Sequence, residues 1–159
     1  MRKSNIKILV SFILGMGITI IVESYLKKKS EKKLIEKVDK FKSYYYMLNN
    51  WMTLKQSGKK LEEYFIKEKI GKIAIYGMGE LGNRLYEELK GTDIEVLYAI
   101  DNTPGYTYSD INVFSIEEPL EQVDAIVVTP IFDFINISQK IEEVLSVRVI
   151  SLEDVIMKL

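Results

Sequence analysis

The chain contains no cysteine and no histidine. Their absence excludes disulfides, thiolate and imidazole metal sites, cysteine nucleophiles and every mechanism that uses a histidine base. Any metal would have to be held by carboxylates alone. Proline is scarce as well: there are three, the first at Pro104, so no proline interrupts a helix before that point. Net charge is nearly nil, at −1, but the balance hides a division. Residues 1–60 carry 14 Lys/Arg against 4 Asp/Glu, a net +10, whereas residues 61–159 carry 8 against 19, a net −11. The two halves are suited to different surroundings. With 159 residues, 47% of them hydrophobic, the chain can hold one ordinary domain with a core and not a large multidomain enzyme.

The longest apolar run lies near the start. Ile8 to Val22 reads ILVSFILGMGITIIV, fifteen residues without a charge. As a helix this core covers roughly 22 Å, short of a hydrocarbon layer of about 30 Å. Counting Ile6 to Leu26, with Lys7 snorkelling and Tyr25 at headgroup level, lets 21 residues reach across. A cleaved signal peptide is the rival reading, since Arg2, Lys3 and Lys7 precede the run, but small-residue cleavage chemistry is poor there. A buried helix of a soluble domain fits less well, because the run is apolar on every face. The expectation is an uncleaved single-pass anchor over residues 1–26. Lys27, Lys28, Lys29, Lys32, Lys33, Lys37 and Lys40 follow it, which by the positive-inside rule puts the C-terminal body in the cytoplasm. These lysines can lie against anionic membrane lipids, each with on the order of 1 kcal/mol of attraction near the surface; a simply solvated lysine face is the alternative.

Residues 27–69 read as a basic helical linker of one or two long helices, with breaks expected at Asn49-Asn50 and Ser57-Gly58 and a short amphipathic helix from Leu61 to Lys69. Leu34, Val38, Phe41, Tyr45, Leu48 and Met52 alternate at steps of four and three, the spacing of an a/d seam. Residues 34–52 could therefore pair with a second copy, pack on the chain's own domain or a membrane protein partner, or lie in the membrane interface. A parallel homodimer would oppose Lys37 and Lys42. Tyr44, Tyr45, Tyr46 and Trp51 form an aromatic cluster, readable as a membrane-surface belt or as ordinary core contacts.

From residue 70 onward the pattern changes to short apolar runs alternating with helical stretches. This predicts an α/β fold, a small five-stranded parallel sheet joined by crossover helices. Strands are expected at 72–77, 94–101, 111–114, 123–129 and 147–150. Helices are expected at 80–90, with Leu81, Leu85 and Leu89 on one face, at 132–145, and from Leu152.

At the junction of the first strand and first helix stands Gly77-Met78-Gly79-Glu80-Leu81-Gly82, a complete G-x-G-x-x-G. Gly77 permits the tight turn, Gly79 lets a pyrophosphate approach the backbone N–H groups, and Gly82 allows close helix–strand packing. Asp101 ends the second strand, where a carboxylate can accept hydrogen bonds from ribose hydroxyls. Asn102 and Thr103 supply no arginine for a 2′-phosphate, so NAD is favoured over NADP. Glu80 suits the helix dipole but opposes a nearby phosphate. A fold that keeps its glycines for packing and binds nothing is the alternative.

The stretches IAIYGMGELGNRLYEELKG, VLYAIDN, INVF, VDAIVVTP and VRVISLEDV together resemble the small Rossmann-like cofactor-binding domains of bacterial surface-polysaccharide biosynthesis, modules that precede the catalytic part of membrane-bound nucleotide-sugar dehydratases. The resemblance covers about residues 70–159. It implies that Gly77, Gly79, Gly82 and Asp101 line a pocket for NAD or another nucleotide, with Thr129 near its rim, and that an N-terminal anchor is in keeping. The catalytic domain of that family has no counterpart in this sequence. The expected function is thus a membrane-tethered nucleotide- or nucleotide-sugar-binding module with an accessory or sensor role. An enzyme completed by a partner chain and a purely structural membrane protein are the alternatives.

Other chemistry is thinly represented. Tyr86 and Lys90 imitate a Tyr-x-x-x-Lys acid/base pair but sit on the helix after the glycine loop, where a nicotinamide would not be reached. Glu117, Glu118, Glu121 and Asp124 read as a solvated acidic face, without a metal-loop motif. The acidic body would repel phosphate backbones, so no nucleic-acid partner is expected.

Overall fold

A computed structural model describes residues 2–101 and 110–159, with side chains from residue 22 onward. The chain forms two compact units, residues 1–45 and 46–159. Helix α1, Arg2–Gln56, runs through both. Its backbone passes through the Ile8–Val22 stretch, most of whose side chains fall outside the described residues. Among the described residues no helix is long and apolar enough to cross a membrane.

The first unit is helical throughout, and residues 22–42 are exposed. The seam positions Leu34, Val38, Phe41 and Tyr45 carry large exposed side chains, as do Leu48 and Met52 at the start of the second unit. Met47 and Trp51, one turn apart on another face of α1, are the residues buried in the second unit. Burial of Trp51 excludes it from a membrane-surface belt. The break expected at Asn49-Asn50 does not form. Asparagine loses only a fraction of a kcal/mol in a helix, roughly 0.7, and packing of Met47 and Trp51 on either side outweighs it. Helix α1 ends instead at Ser57-Gly58, the second expected break. Gly58 takes a positive φ of 80°, Gly58 N–H donates to Lys55 O and Lys59 N–H donates to Leu54 O. Those two bonds close a left-handed helix cap.

The second unit continues with α2, Glu62–Lys67, β1, Lys72–Tyr76, α3, Glu80–Leu89, β2, Glu95–Ile100, β3, Val113–Phe114, and β4, Ala125–Val128. A 3₁₀ turn at Ile131–Asp133 leads into α4, Phe134–Val144, followed by β5, Arg148–Ser151, and α5, Leu152–Met157. Among the described residues the strands form one five-stranded sheet in the order β3-β2-β1-β4-β5. All four pairings are parallel. The expected five-stranded parallel α/β sheet is present, and its order is consistent with a Rossmann-like fold.

Past the charged first residues Lys72, Glu95 and Arg148, the strands are largely apolar on both faces, as a sheet covered on both sides demands. Ala74, Tyr76, Tyr98, Ile100, Ile126 and Val128 share one core with Ile137 and Ile141 of α4. The alternate residues Ile73, Ile75, Ala99, Ala125 and Val127 point to the other face and are fully buried. Helix α3 packs on β1 and β2 and buries Leu85 and Leu89. Register places the site: Tyr76 pairs with both Ile100 and Val128. Gly77, Asp101 and Thr129, each one residue further on, therefore emerge together at the C-terminal edge of the sheet.

Candidate functional site

Strand order reverses direction at β1, whose neighbours are β2 on one side and β4 on the other. In open parallel sheets such a switch point leaves a crevice beyond the strand ends. A cleft of about 380 Å³ opens there, lined by Tyr76, Gly77 and Asp101 on one side and by Pro130, Asp133, Asn136, Ile137 and Lys140 on the other.

The loop over this cleft is held by a small set of bonds. Gly77 has a φ of +92°, a conformation that disfavours any side chain, and a Cβ there would meet Pro130 Cδ at 2.8 Å. Its N–H donates to Ile100 O at 2.8 Å. Thr129 Oγ1 donates to Gly77 O at 2.6 Å, with Tyr76 O at 3.2 Å. The threonine is 3% exposed, so it lies beneath the loop as a brace and not at the rim. Asp101 turns its Oδ2 toward the loop and accepts from Met78 N–H at 2.8 Å, while Asn83 Nδ2 donates to Met78 O and Gly79 O, both at 2.9 Å. Met78 itself is buried.

The three glycines are not equivalent. At Gly82 a Cβ would lie 2.1 Å from Gly77 O, so the first turn of α3 rests on the loop backbone. Gly79, the N-cap of α3, has an ordinary extended φ of −74°, and a Cβ there would meet no atom of the described residues within 4 Å. It provides no side-chain cap, leaving first-turn N–H groups that have no acceptor inside the helix. Glu80 is exposed at the first helical position, and Leu81 is half-buried. Asn102 and Thr103 lie outside the described residues.

Three residues of the cleft escaped the sequence reading. Asp133, Asn136 and Lys140 stand at steps of three and four on the start of α4, which sets them on one face. Asn136 Nδ2 donates to Asp133 Oδ1 at 2.6 Å. No glycine motif marks the β4–α4 turn. The available signal was positional: polar side chains in the first turns of the helix that follows the strand across the switch point.

The remaining candidates fall elsewhere. Lys90 Nζ lies 3.0 Å from Asp110 Oδ2 and 5.5 Å from the centre of the Tyr86 ring. Burial, and then the hydrogen bond with Asp110, hold the Tyr86 phenol above its usual range, the wrong direction for proton transfer near neutrality. This pair sits at the far end of α3 from the glycine loop. In the acidic run, Asp124 Oδ2 accepts from Gly71 N–H and Lys72 N–H, each at 2.8 Å, so it joins strands instead of awaiting a cation. Among the described residues no group of three or more acidic side chains is placed to hold a metal ion.

No protein-family model matches the chain, and neither a curated protein nor a solved structure matches it.

Proposed function

We propose that the chain is a membrane-tethered cytoplasmic module that binds a nucleotide, NAD or a nucleotide sugar, at the β1–α3 loop, in an accessory or sensor role in surface-polysaccharide assembly. The observation that carries the binding reading is Gly79. The fold needs glycine at Gly77 for its φ and at Gly82 for its contact, but among the described residues nothing requires it at Gly79. Serine or aspartate would cap α3 better. What glycine supplies at that position is an uncovered backbone at a helix N-terminus, the feature a phosphate requires. Asp101 and the cleft at the switch point supply the neighbouring wall for a ribose or sugar.

The tether rests on the Ile8–Val22 run and the lysines behind it, and the pathway rests on the resemblance of residues 70–159. Thermal unfolding of residues 46–159 tests the binding reading. NAD, NADH or a nucleotide sugar at 100 times its Kd adds about 2.7 kcal/mol of stability, and Gly79→Val removes the gain. A second reading, a scaffold that holds no nucleotide, is favoured by one detail. The Asp101 carboxylate already occupies Met78 N–H. Absence of a shift with all three ligands at millimolar concentration selects that reading.

A further inference from the structure

The exposed stripe of the first unit carries its own instruction for a partner. Leu34, Val38, Phe41 and Tyr45 are 63%, 42%, 75% and 65% exposed, a row of large apolar side chains that a helix would not leave in water without a use. Their spacing follows a 4-3-4 rhythm, which seats knobs into the holes of another helix. The flanks say what the other helix carries. In heptad terms Leu34 and Phe41 are d positions and Val38 and Tyr45 are a positions, so the four flanking e and g positions are Ile35, Lys37, Lys42 and Tyr44. Both charged flanks are lysine. The acidic residues nearby, Glu36 and Asp39, occupy the f and b positions on the far side, where they cannot meet a partner's flank. A second copy in parallel would set Lys37 against Lys42 twice, at a cost in stability.

We infer that residues 34–45 dock a helix of a different protein whose apolar heptads are flanked by Glu or Asp. The inference is independent of nucleotide binding. The test uses the full chain in detergent micelles and two labelled synthetic helices of four heptads, both with Leu and Ile at a and d. One has Glu at every e and g position and the other Lys. Fluorescence anisotropy should show the acidic helix binding at least about fivefold more tightly, as two new flanking ion pairs provide. Lys37→Glu with Lys42→Glu should reverse the preference, and Phe41→Ser, a change at an exposed position, should weaken both. Equal binding of the two helices, or a preference unmoved by the charge reversal, overturns the inference. So does sedimentation showing that the chain self-associates and that Phe41→Ser makes it monomeric, since the occupant is then a second copy. Binding of the chain to phosphatidylserine vesicles that is lost with Phe41→Ser also overturns it, because the stripe then serves lipid.

Discussion

Gly82 lies directly against the carbonyl of Gly77: a Cβ at residue 82 would stand 2.1 Å from the Gly77 oxygen and 3.1 Å from its carbon. The contact joins the first turn of α3 to the loop that ends β1, and the atom in the way is backbone, which cannot rotate aside. Gly82→Ala should therefore destabilise the fold by about 2–3 kcal/mol through overpacking. Urea unfolding of residues 46–159 measures this as a lowered midpoint at unchanged slope.

Gly79 makes the opposite prediction. Its φ is ordinary and no described residue crowds it, so Gly79→Val should cost less than about 1 kcal/mol, the scale of a changed N-cap. The pair of variants separates the glycine the fold needs from the one the proposed nucleotide site would need.

Glu88 ties the end of α1 to α3. Its Oε2 accepts from Trp51 Nε1 and from Lys55 Nζ, both at 2.8 Å, and its side chain is only 10% exposed. Glu88→Leu leaves the indole N–H without its acceptor and should cost about 1–3 kcal/mol. Trp51 is the only tryptophan, so its fluorescence spectrum should shift in the same variant, and an unchanged spectrum would show that the clasp is not formed in solution.

Much of this was legible in the sequence. Strands β1 and β4 are buried on both faces, which makes them continuous apolar runs, and Gly77 to Gly82 mark the turn between β1 and α3. What was hidden depends on tertiary contact. Asn49-Asn50 looks like a break because propensity is local, whereas the helix is held there by Met47 and Trp51. Those two residues draw residues 46–69 into the second unit, although their composition matches the linker. Thr129 reads as a strand end near a rim, yet it is buried because its hydroxyl finds the Gly77 carbonyl. Asp133, Asn136 and Lys140 line one cleft with Asp101 only because the crossover brings α4 to the switch point, which no local pattern encodes.

Acid stability should depend on Asp124. Hydrogen bonds from Lys72 N–H and Gly71 N–H hold its carboxyl below the usual carboxylate range. A carboxylate whose folded pKa is depressed contributes stability that is complete above its unfolded value, about 4, and that is lost as pH falls through the folded value. Asp124→Asn should therefore flatten the decline of the melting temperature below about pH 4, with no comparable change of slope near neutrality. Melting curves recorded across that range check it, and an unaltered acid limb would rule the contribution out.

The most direct measurement of the binding claim is a titration of ¹⁵N-labelled residues 46–159 with NAD, and in parallel with a nucleotide sugar, followed by amide chemical shifts. Saturable shifts centred on the amides of Gly77, Gly79, Glu80 and Leu81, and absent in Gly79→Val, are what the account predicts. Unmoved loop amides at millimolar concentrations of both compounds would contradict it.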